Sequence, residues 1–326
     1  MDRARRDGSG WGMRLLAVVG LLTLIPALVL VGMRFAPSQS YLPAAQAVGL
    51  FPVAALLALV AALCLAGARW RWTAGVAAVV AVVTLVVVFE RTTDSTVTAT
   101  DSTATVQVGA ANAYFGRADV GALAAQLREL DVACVAEATP DLAAALAREG
   151  MDAYHAVDAS EGGASGTVLY SRWPIREVAQ VEGVSFRMPR AVVTTPSGAE
   201  VTVTCAHPAP PNPSQRALDL WSQELRAVRD AVADTDGAQI VMGDFNATWD
   251  HRLLREVAAA GDLRDVAVVA GQGLTPTWPL RDGPSPIPLF PIDHVLTDLD
   301  VVDVVIEDVA GSDHRLVTAT LTTAPA

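Results

Sequence analysis

Side chains able to do acid–base or metal chemistry stand at the ends of short apolar runs between residues 105 and 321. A strand end fixes a side chain at the rim of a sheet, so this placement is informative. The residues concerned are Asn112, Glu137, His207, Asp244, Asn246, Asp293, Asp313 and His314. Carboxylate and amide oxygens suit Mg²⁺, and imidazoles serve as acid, base or charge stabiliser. Together these residues predict a hard-metal site that handles phosphate.

Each of these residues also has an ordinary structural explanation when it is taken alone. Glu137 could cap a helix that begins near Asp141, and Asp244 could form a turn with Asn246 after a strand. The sequence contains neither an HExxH nor a CxxC pattern, which argues against zinc. Chemistry is therefore favoured by the joint occurrence of the residues, not by any single one.

Ten strand-like runs and four helix-like runs must position these side chains. The strand-like runs are 105–111, 132–136, 153–157, 166–170, 190–195, 200–206, 239–242, 292–296, 301–306 and 316–321. The helix-like runs are 120–130, 141–149, 213–233 and 251–260. A Pro-Ser-Gly turn at 196–198 predicts a hairpin, and Ser214 is a candidate helix cap. Many strands with few helices predict an α/β fold in which helices cover a two-sheet sandwich.

Three apolar runs that lack charged residues open the chain, at 15–33, 44–68 and 72–89. The first two are long enough to cross a bilayer at about 20 residues per span, and Trp72 extends the third. A cleaved signal peptide is the alternative for the first run, but no small-residue cleavage site follows promptly. We predict a membrane anchor over 1–90, an exposed Thr/Ser-rich linker over 91–103 and an outer domain over 104–326.

The placement of arginine predicts the orientation of the anchor. Arginines flank the runs at positions 3, 5, 6 and 14 before the first, 34 after it, and 69 and 71 between the second and third. The positive-inside rule then puts the N-terminus in the cytoplasm. Three crossings place everything after Glu90 outside, so we predict a multi-pass protein of the cell membrane with an extracellular C-terminal domain.

The charge is divided unevenly along the chain. The whole sequence has a net charge of −12 and contains no lysine. Residues 1–90 hold seven arginines against three acids, a net of +4, which leaves sixteen arginines against thirty-two acids, a net of −16, in residues 91–326. Binding to nucleic acid by phosphate neutralisation needs basic charge, so an acidic outer domain makes nucleic acid the less favoured partner. A metal ion could still join an acidic site to an anionic substrate.

The three cysteines do not form a disulfide framework or a zinc-finger pattern. Cys64 lies in an apolar run, and Cys134 and Cys205 lie in strand-like runs. Their surroundings favour buried thiols. A single bridge between Cys134 and Cys205 is the alternative if their strands are neighbours in space.

Six short segments together carry a family resemblance. They are Asn112, Val135-Ala136-Glu137, His207-Pro208, Gly243-Asp244-Phe245-Asn246, Ile292-Asp293-His294-Val295 and Gly311-Ser312-Asp313-His314. In this order, across the whole outer domain, they resemble the endonuclease/exonuclease/phosphatase superfamily. The resemblance implies a DNase I-like four-layer α/β sandwich, with the site at one rim of two packed sheets. With its three spans, the layout is similar to a membrane-anchored actinobacterial branch of that family.

The resemblance assigns roles to the metal-binding side of the site. Glu137 would be the principal Mg²⁺ ligand, with Mn²⁺ as the alternative metal. Asn112 and Asp313 would complete the metal shell, directly or through water.

It also assigns roles in the chemical step. Asp244 would orient or deprotonate the attacking water, and Asn246 would hold a phosphate oxygen. His314 would face the phosphorus, with Asp293 fixing its tautomer. His207 would donate a hydrogen bond or a proton near the phosphate. The sequence leaves open whether Asp244 or His314 takes the proton.

Two further residues are candidates to bind substrate. Trp278 lies in a segment similar to the family's substrate-side Thr-Trp segment, and Arg190 could meet a phosphate. The loop at 283–291 is apolar and rich in proline, which suits a lipid phosphate at a membrane surface, although packing of its Leu289 and Phe290 into the core is the alternative. A phosphohydrolase of lipid diphosphate is the leading hypothesis. The others are an extracellular nuclease, a phospholipase C-like phosphodiesterase, and a catalytically inactive sensor or adaptor.

Overall fold

The computed structural model describes residues 3–36, 41, 44–98, 104–280 and 287–323. The chain divides into two units, Met1–Glu90 and Arg91–Ala326, which are described separately below.

The first unit is helical. Its helices are α1 Arg3–Phe35, α2 Ala44–Ala47, a 3₁₀ helix Val48–Leu50, α3 Phe51–Gly67 and α4 Arg71–Phe89. Among the described residues, three helical stretches are long and apolar enough to cross a membrane: Gly10–Phe35, Ala44–Gly67 and Arg71–Phe89. Alanines such as Ala58 and Ala77 are fully buried between these helices. Small residues let helix backbones approach closely, as helices do within a bilayer.

The described residues of the second unit form twelve strands in two sheets. The strands are β1 Thr105–Asn112, β2 Val132–Ala136, β3 His155–Ala159, β4 Thr167–Ser171, β5 Ile175–Val178, β6 Arg190–Thr194, β7 Glu200–Ala206, β8 Ala238–Asp244, β9 Arg264–Asp265, β10 Asp293–Thr297, β11 Val301–Asp308 and β12 Arg315–Thr322. The first sheet has the order β11-β12-β1-β2-β4-β3, and the second has the order β5-β6-β7-β8-β10-β9. Parallel pairs lie at the centre of each sheet, β1 with β2 and β7 with β8.

Helices cover the outer face of each sheet. They are α5 Val120–Leu127, α6 Pro140–Arg148, α7 Gln215–Ala233, α8 Arg252–Ala260 and α9 Val266–Val269, with a 3₁₀ helix at Met151–Ala153. The side chains between the two sheets form the main core, and α5 and α6 close a second core on the first sheet. Ser214 caps α7 by accepting a hydrogen bond from the Ala217 amide. The predicted four-layer sandwich is therefore confirmed, as are the hairpin between β6 and β7 and the cap at Ser214.

A disulfide joins the two sheets through the core. Cys134 on β2 and Cys205 on β7 are bonded, with their Cα atoms 5.5 Å apart. Both side chains lie in the core between the two sheets. Alternate residues of a strand point to the same face, so each cysteine belongs to the inward-facing set of its strand. The expectation of buried free thiols is wrong for this pair, and the alternative of one bridge is correct.

The segment after the last apolar helix is held by the second unit. Arg91 is buried and makes two hydrogen bonds to Asp250, at 2.8 and 2.5 Å. The Ser95 amide donates to Val269, and the Val97 amide donates to Val301. The expectation that an exposed linker begins at residue 91 is wrong for Arg91, because its side chain is buried against Asp250. A buried arginine requires such a carboxylate partner. Residues 99–103 of the predicted linker lie outside the described residues.

Candidate active site

The candidate residues meet at one rim of the sandwich. Asn112 and Ala136, at the ends of β1 and β2, are partners in the parallel register, so Glu137 follows directly beside Asn112. Asp244, which ends β8, lies opposite Asp293, which begins β10. His207 follows the end of β7. Strands that end at the same edge thus bring together residues that are far apart in sequence.

Asp244 lies at the centre of the hydrogen-bond network. The Asn112 side-chain amide donates to Asp244 Oδ2 and to Glu137 Oε1, both at 3.1 Å. Asp244 Oδ1 accepts from the Asn246 backbone amide at 2.8 Å. The Asn246 side-chain amide donates to the Pro208 carbonyl at 3.0 Å, which links it to the residue after His207.

The backbone at these strand ends has a conformation that side chains rarely adopt. Glu137 and Asn246 have φ values of +53° and +49°, and such strain concentrates at functional sites. Gly243 has φ +146°, and a Cβ there would lie 2.0 Å from the Ala206 carbonyl oxygen. Only glycine permits this approach of β8 to β7, so Gly243 sets the position of Asp244.

Two histidines approach Asp244 from different sides. His314 Nδ1 lies 2.9 Å from Asp293 Oδ2, and its Nε2 lies 3.8 Å from Asp244 Oδ2. His207 Nε2 lies 3.9 Å from the same Asp244 oxygen. This geometry fits the predicted role of Asp293, because a carboxylate on Nδ1 fixes the imidazole tautomer.

The two imidazoles have opposite protonation states near neutral pH. Although burial opposes it, the carboxylates of Asp293 and Asp244 raise the pKa of His314 to about 10. Burial, together with the positive charge of His314, lowers the pKa of His207 to about 3. Burial and the charge of Asp293 raise the pKa of Asp244 to about 7. A charged His314 can stabilise negative charge on a phosphate, and a carboxyl group that titrates near neutrality can act as a base.

Two groups of residues could hold a divalent cation. In the first, Asp244, Asp293 and His314 offer ligand atoms that all lie within 4.8 Å of one another. In this structure His314 Nδ1 lies 2.9 Å from Asp293 Oδ2, so a cation in this group would compete with that hydrogen bond. The second group is Glu137 with Asp313, the pair that the family resemblance predicts, and its metal-binding role stays a prediction.

The second group fits Mg²⁺. Asp313 Oδ1 is buried and has no hydrogen-bond partner among the described residues. Burial raises the pKa of both Glu137 and Asp313, and a divalent cation would offset that cost. Asn112 Oδ1 accepts from the Tyr114 amide at 2.9 Å, which uses one of its two lone pairs, so ligation by Asn112, directly or through water, stays a prediction. A bound Mg²⁺ would polarise a phosphoryl oxygen.

Trp278 belongs to the cluster. Its indole N–H donates to Asp313 Oδ2 at 3.1 Å, and its ring centre lies 6.2 Å from that of His314. The structure thus brings together nine of the ten predicted site residues. They are Asn112, Glu137, His207, Asp244, Asn246, Trp278, Asp293, Asp313 and His314.

Arg190 is not brought to the cluster. Its guanidinium donates to Thr204, to the Ala231 carbonyl and to the Thr235 hydroxyl at the C-terminal end of α7. That end of α7 leads into the start of β8, opposite to the end that carries Asp244. These hydrogen bonds occupy the guanidinium, so contact of Arg190 with substrate stays a prediction that this structure does not support. Its donors stabilise the end of a helix, where carbonyl groups lack partners.

Sequence reasoning missed the backbone groups that hold the carboxylates. The Phe115 amide donates to Glu137 Oε2 at 2.7 Å. The type of a residue does not show whether its backbone amide binds a carboxylate. The only signal in the sequence is that Phe115 closely follows Asn112, a predicted site residue. Ser312, within the Ser-Asp-His segment, donates to the Asn112 carbonyl at 2.7 Å and accepts from the His314 amide at 3.0 Å.

A buried pair formed by His294 and Asp265 lies outside the cluster. His294 Nδ1 is 2.6 Å from Asp265 Oδ2, and its Nε2 is 2.8 Å from the Ala247 carbonyl. Both nitrogens face acceptors, an arrangement that favours the charged form of the ring. Despite burial, Asp265 raises the pKa of His294. This pair orders the strand that carries Asp293, the neighbour of His294 in sequence.

The fold and the site define a class of protein. Buried carboxylates, an amide and a charged histidine at the rim of a two-sheet sandwich are suited to metal-assisted phosphoester hydrolysis. A family model described as "Endonuclease/Exonuclease/phosphatase family" matches residues 109–314, and the chain belongs to this family. The chain is thus a metal-dependent phosphoric ester or anhydride hydrolase by family.

Solved structures share the fold of the second unit. TDP2 from D. rerio, complexed with a single-strand DNA product, has a TM-score of 0.53 at 18% identity, covering 68% of this chain and 99% of that chain. An AP endonuclease from Archaeoglobus fulgidus has a TM-score of 0.51 at 16% identity, covering 66% and 98%. An endonuclease/exonuclease/phosphatase from Beutenbergia cavernae has a TM-score of 0.51 at 19% identity, covering 67% and 72%. Such identities establish the fold alone. A comparison with curated protein sequences gave no match.

Proposed function

We propose that this chain is a membrane-anchored, extracytoplasmic, Mg²⁺-dependent phosphohydrolase that removes phosphate from a lipid diphosphate, with undecaprenyl diphosphate as the first substrate to test. The proposal rests on two features that occur together in this chain. One is the phosphate site around Asp244, and the other is a set of three helices apolar enough to span a membrane. A bilayer anchor suits an enzyme whose substrate resides in the bilayer.

The site residues would divide the reaction between them. Glu137 and Asp313 would hold Mg²⁺, which supplies charge stabilisation at the phosphate. Asp244 would orient the attacking water and accept its proton. Charged His314, held by Asp293, would stabilise the phosphoryl oxygens, and neutral His207 would face the same group. Positioning and charge stabilisation are the main sources of rate in such reactions.

An extracellular location for the second unit rests on two supports. The arginines before the first apolar run favour a cytoplasmic N-terminus. The Cys134–Cys205 disulfide favours an oxidising compartment, because disulfides are rare in the cytosol. Undecaprenyl phosphates present their headgroups at the membrane surface, which such a domain could reach.

The net charge of the second unit favours a lipid substrate over a nucleic-acid substrate. Residues 91–326 have a net charge of −16, whereas nucleic-acid binding depends on basic groups along the phosphate backbone. The membrane-bound layout is also similar to the family branch typified by the teicoplanin-resistance protein VanJ. We therefore include a contribution to glycopeptide resistance in the proposal.

A substrate panel tests the proposal. Full-length protein in detergent would be given undecaprenyl diphosphate, undecaprenyl phosphate, a phospholipid diester and single-stranded DNA, each with Mg²⁺ and with EDTA. We expect Mg²⁺-dependent turnover to be at least tenfold faster on the diphosphate than on the other three. Faster cleavage of DNA or of the phospholipid would replace the proposal with a nuclease or a phospholipase-like diesterase.

A further inference from the structure

Few large apolar side chains are exposed on the described part of the second unit. They are Val97, Phe115, Ile287, Leu289 and Val305. Three of these five belong to two segments near the predicted metal ligands. Segment 114–117 contacts Glu137 directly through the Phe115 amide, and segment 287–290 contacts Trp278, whose indole binds Asp313. We name Phe115, Ile287 and Leu289 the apolar lip. Exposed apolar side chains that gather beside a polar site indicate a binding surface.

The first side of the lip is a rigid turn. The Phe115 amide binds Glu137, while the Phe115 side chain is 45% exposed. Tyr114 and Phe115 have φ values of +49° and +54°, and Gly116 follows with +72°. A Cβ on Gly116 would lie 2.5 Å from Thr139 Oγ1, so the turn packs closely against the start of α6. The Arg117 guanidinium lies over both aromatic rings, at 5.0 and 5.7 Å from their centres.

The second side of the lip is held by Trp278. Trp278 and Phe290 exchange two backbone hydrogen bonds, at 3.0 and 2.8 Å, and their rings stack with centres 6.4 Å apart. The Trp278 indole in turn binds Asp313. Leu289, 49% exposed, and Ile287, 62% exposed, extend from this support. Packing of Leu289 into the core, which the sequence left open, is therefore excluded.

Each side of the lip is thus tied to a different metal-binding carboxylate, Phe115 to Glu137 and Leu289 through Trp278 to Asp313. A ligand whose phosphate occupies the site would present its next atoms to these side chains. The strained backbone at Tyr114 and Phe115 keeps the Phe115 amide on the carboxylate while its ring faces solvent.

We propose that the apolar lip binds the hydrocarbon chain of the substrate, so that Phe115, Ile287 and Leu289 set a preference for long-chain over short-chain phosphates; this inference rests on the proposed lipid-phosphate activity. A hydrocarbon chain is favoured over another apolar occupant by two features of the chain. Three helices could place it in a bilayer, and the acidic second unit disfavours a nucleic-acid base. Burial of methylene groups against the lip would add affinity with each carbon.

The test compares substrates that differ only in chain length. Methyl and octyl diphosphates would be hydrolysed by full-length protein in nanodiscs, and the ratio of kcat/KM for octyl over methyl would be measured. In Leu289→Ser and in Phe115→Ser we expect this ratio to fall about tenfold, mainly through KM. Val305→Ser is the matched control, because Val305 is 47% exposed on β11 and outside the lip; its ratio should equal that of the wild type.

Two results would overturn the inference. A wild-type ratio near one would show that the chain gains nothing from the protein. An unchanged ratio in both Leu289→Ser and Phe115→Ser, even with lower activity on both substrates, would assign these side chains a structural role. Leu289→Ser keeps the test valid if Phe115→Ser fails to fold.

A failure of the proposed function would be seen separately. If wild-type protein hydrolyses neither diphosphate, the lip is tested by calorimetric titration with octylphosphonate and methylphosphonate. Each phosphonate partitions into the nanodisc to the same extent whichever variant is present, so partition cancels when a variant is compared with wild type. Tighter binding of octylphosphonate that is lost in Leu289→Ser would support the lip without the lipid phosphatase activity, and equal binding by both proteins would overturn it.

Discussion

At the scale of single residues, the site depends on one carboxylate placed between two imidazoles of different charge. Asp244 Oδ2 lies 3.8 Å from His314 Nε2 and 3.9 Å from His207 Nε2. Asp293 keeps His314 protonated, and burial keeps His207 neutral. Environments that push the pKa values of neighbouring groups apart assign different acid–base roles to them. We propose the metal-binding role for Glu137, which accepts a hydrogen bond from the same Asn112 amide as Asp244.

Glu137→Gln should raise the Mg²⁺ concentration needed for half-maximal activity. The amide keeps the size of the side chain but removes the negative charge that attracts the cation. We expect a rise of at least about tenfold, the size of effect seen when groups around a metal are changed. A Mg²⁺ titration of phosphate release measures it, with Glu307→Gln, an exposed residue on β11, as the control. An unchanged Mg²⁺ requirement would remove Glu137 from the metal site.

Asp265→Asn should destabilise the second unit in a pH-dependent manner. The folded-state pKa of His294 is raised above 6.5 by Asp265, so this stabilisation is complete below pH 6.5 and is lost as the pH rises through the raised value. Breaking a buried pair costs about 3 kcal/mol. Thermal unfolding at several pH values should show the largest loss at the lowest pH.

Asp300→Asn provides the control for that measurement, because Asp300 pairs with Arg264 at the surface, where such pairs contribute little. A deficit in Asp265→Asn that grows with rising pH would contradict a charged His294.

At the scale of elements, the parallel centres of the two sheets build the site. β1 with β2 deliver Asn112 and Glu137, and β7 with β8 deliver His207 and Asp244. The Cys134–Cys205 disulfide connects these two pairs of strands. Cys134 precedes Glu137 by three residues, and Cys205 precedes His207 by two. The bond thus fixes the two halves of the rim relative to each other.

Replacing both bridged cysteines by alanine should lower the free energy of unfolding of the second unit by about 4 kcal/mol, because the bond closes a loop across 71 positions. Thermal unfolding with and without reductant measures the effect. Reductant should destabilise wild type and Cys64→Ala alike, since Cys64 is unpaired, but should not affect the double variant. A double variant as stable as wild type would show that the bond adds no stability.

The cluster was predictable where residue type and strand end coincide. Asn112, Glu137 and Asp244 each follow an apolar run, and a shared rim follows from such placement once two sheets pack. The Arg190 side chain reaches back to α7, because the position of a residue on a strand does not specify where a long side chain extends. The Cys134–Cys205 bond depends on which strands face each other across the core, which strand patterns alone do not specify. The Phe115 amide contact depends on backbone torsion, to which the residue type gives no guide.

At the scale of the whole molecule, the apolar helices and the acidic second unit have separate tasks. The helices would keep the enzyme at the bilayer, and the second unit would carry out hydrolysis outside it.

Protease added to intact cells should degrade the second unit and spare a tag on the N-terminus. The arginine distribution predicts a cytoplasmic N-terminus, and three crossings would then place the residues after Glu90 outside. Immunoblotting for tags at the two ends would follow the digestion, with permeabilised cells showing loss of both tags. A second unit that is protected until the cells are opened would reverse the proposed orientation.

The central claim is that the cluster around Asp244 hydrolyses a lipid diphosphate with a divalent metal. The most direct measurement is inorganic phosphate released from undecaprenyl diphosphate by purified full-length protein, with Mg²⁺ and with EDTA. Asp244→Asn would be compared with Asp303→Asn, an exposed residue on β11. We predict release that requires Mg²⁺, is unchanged in Asp303→Asn and falls at least about 100-fold in Asp244→Asn, as expected when an acid–base group is removed. No release by the wild type, or equal release by Asp244→Asn, would contradict the account.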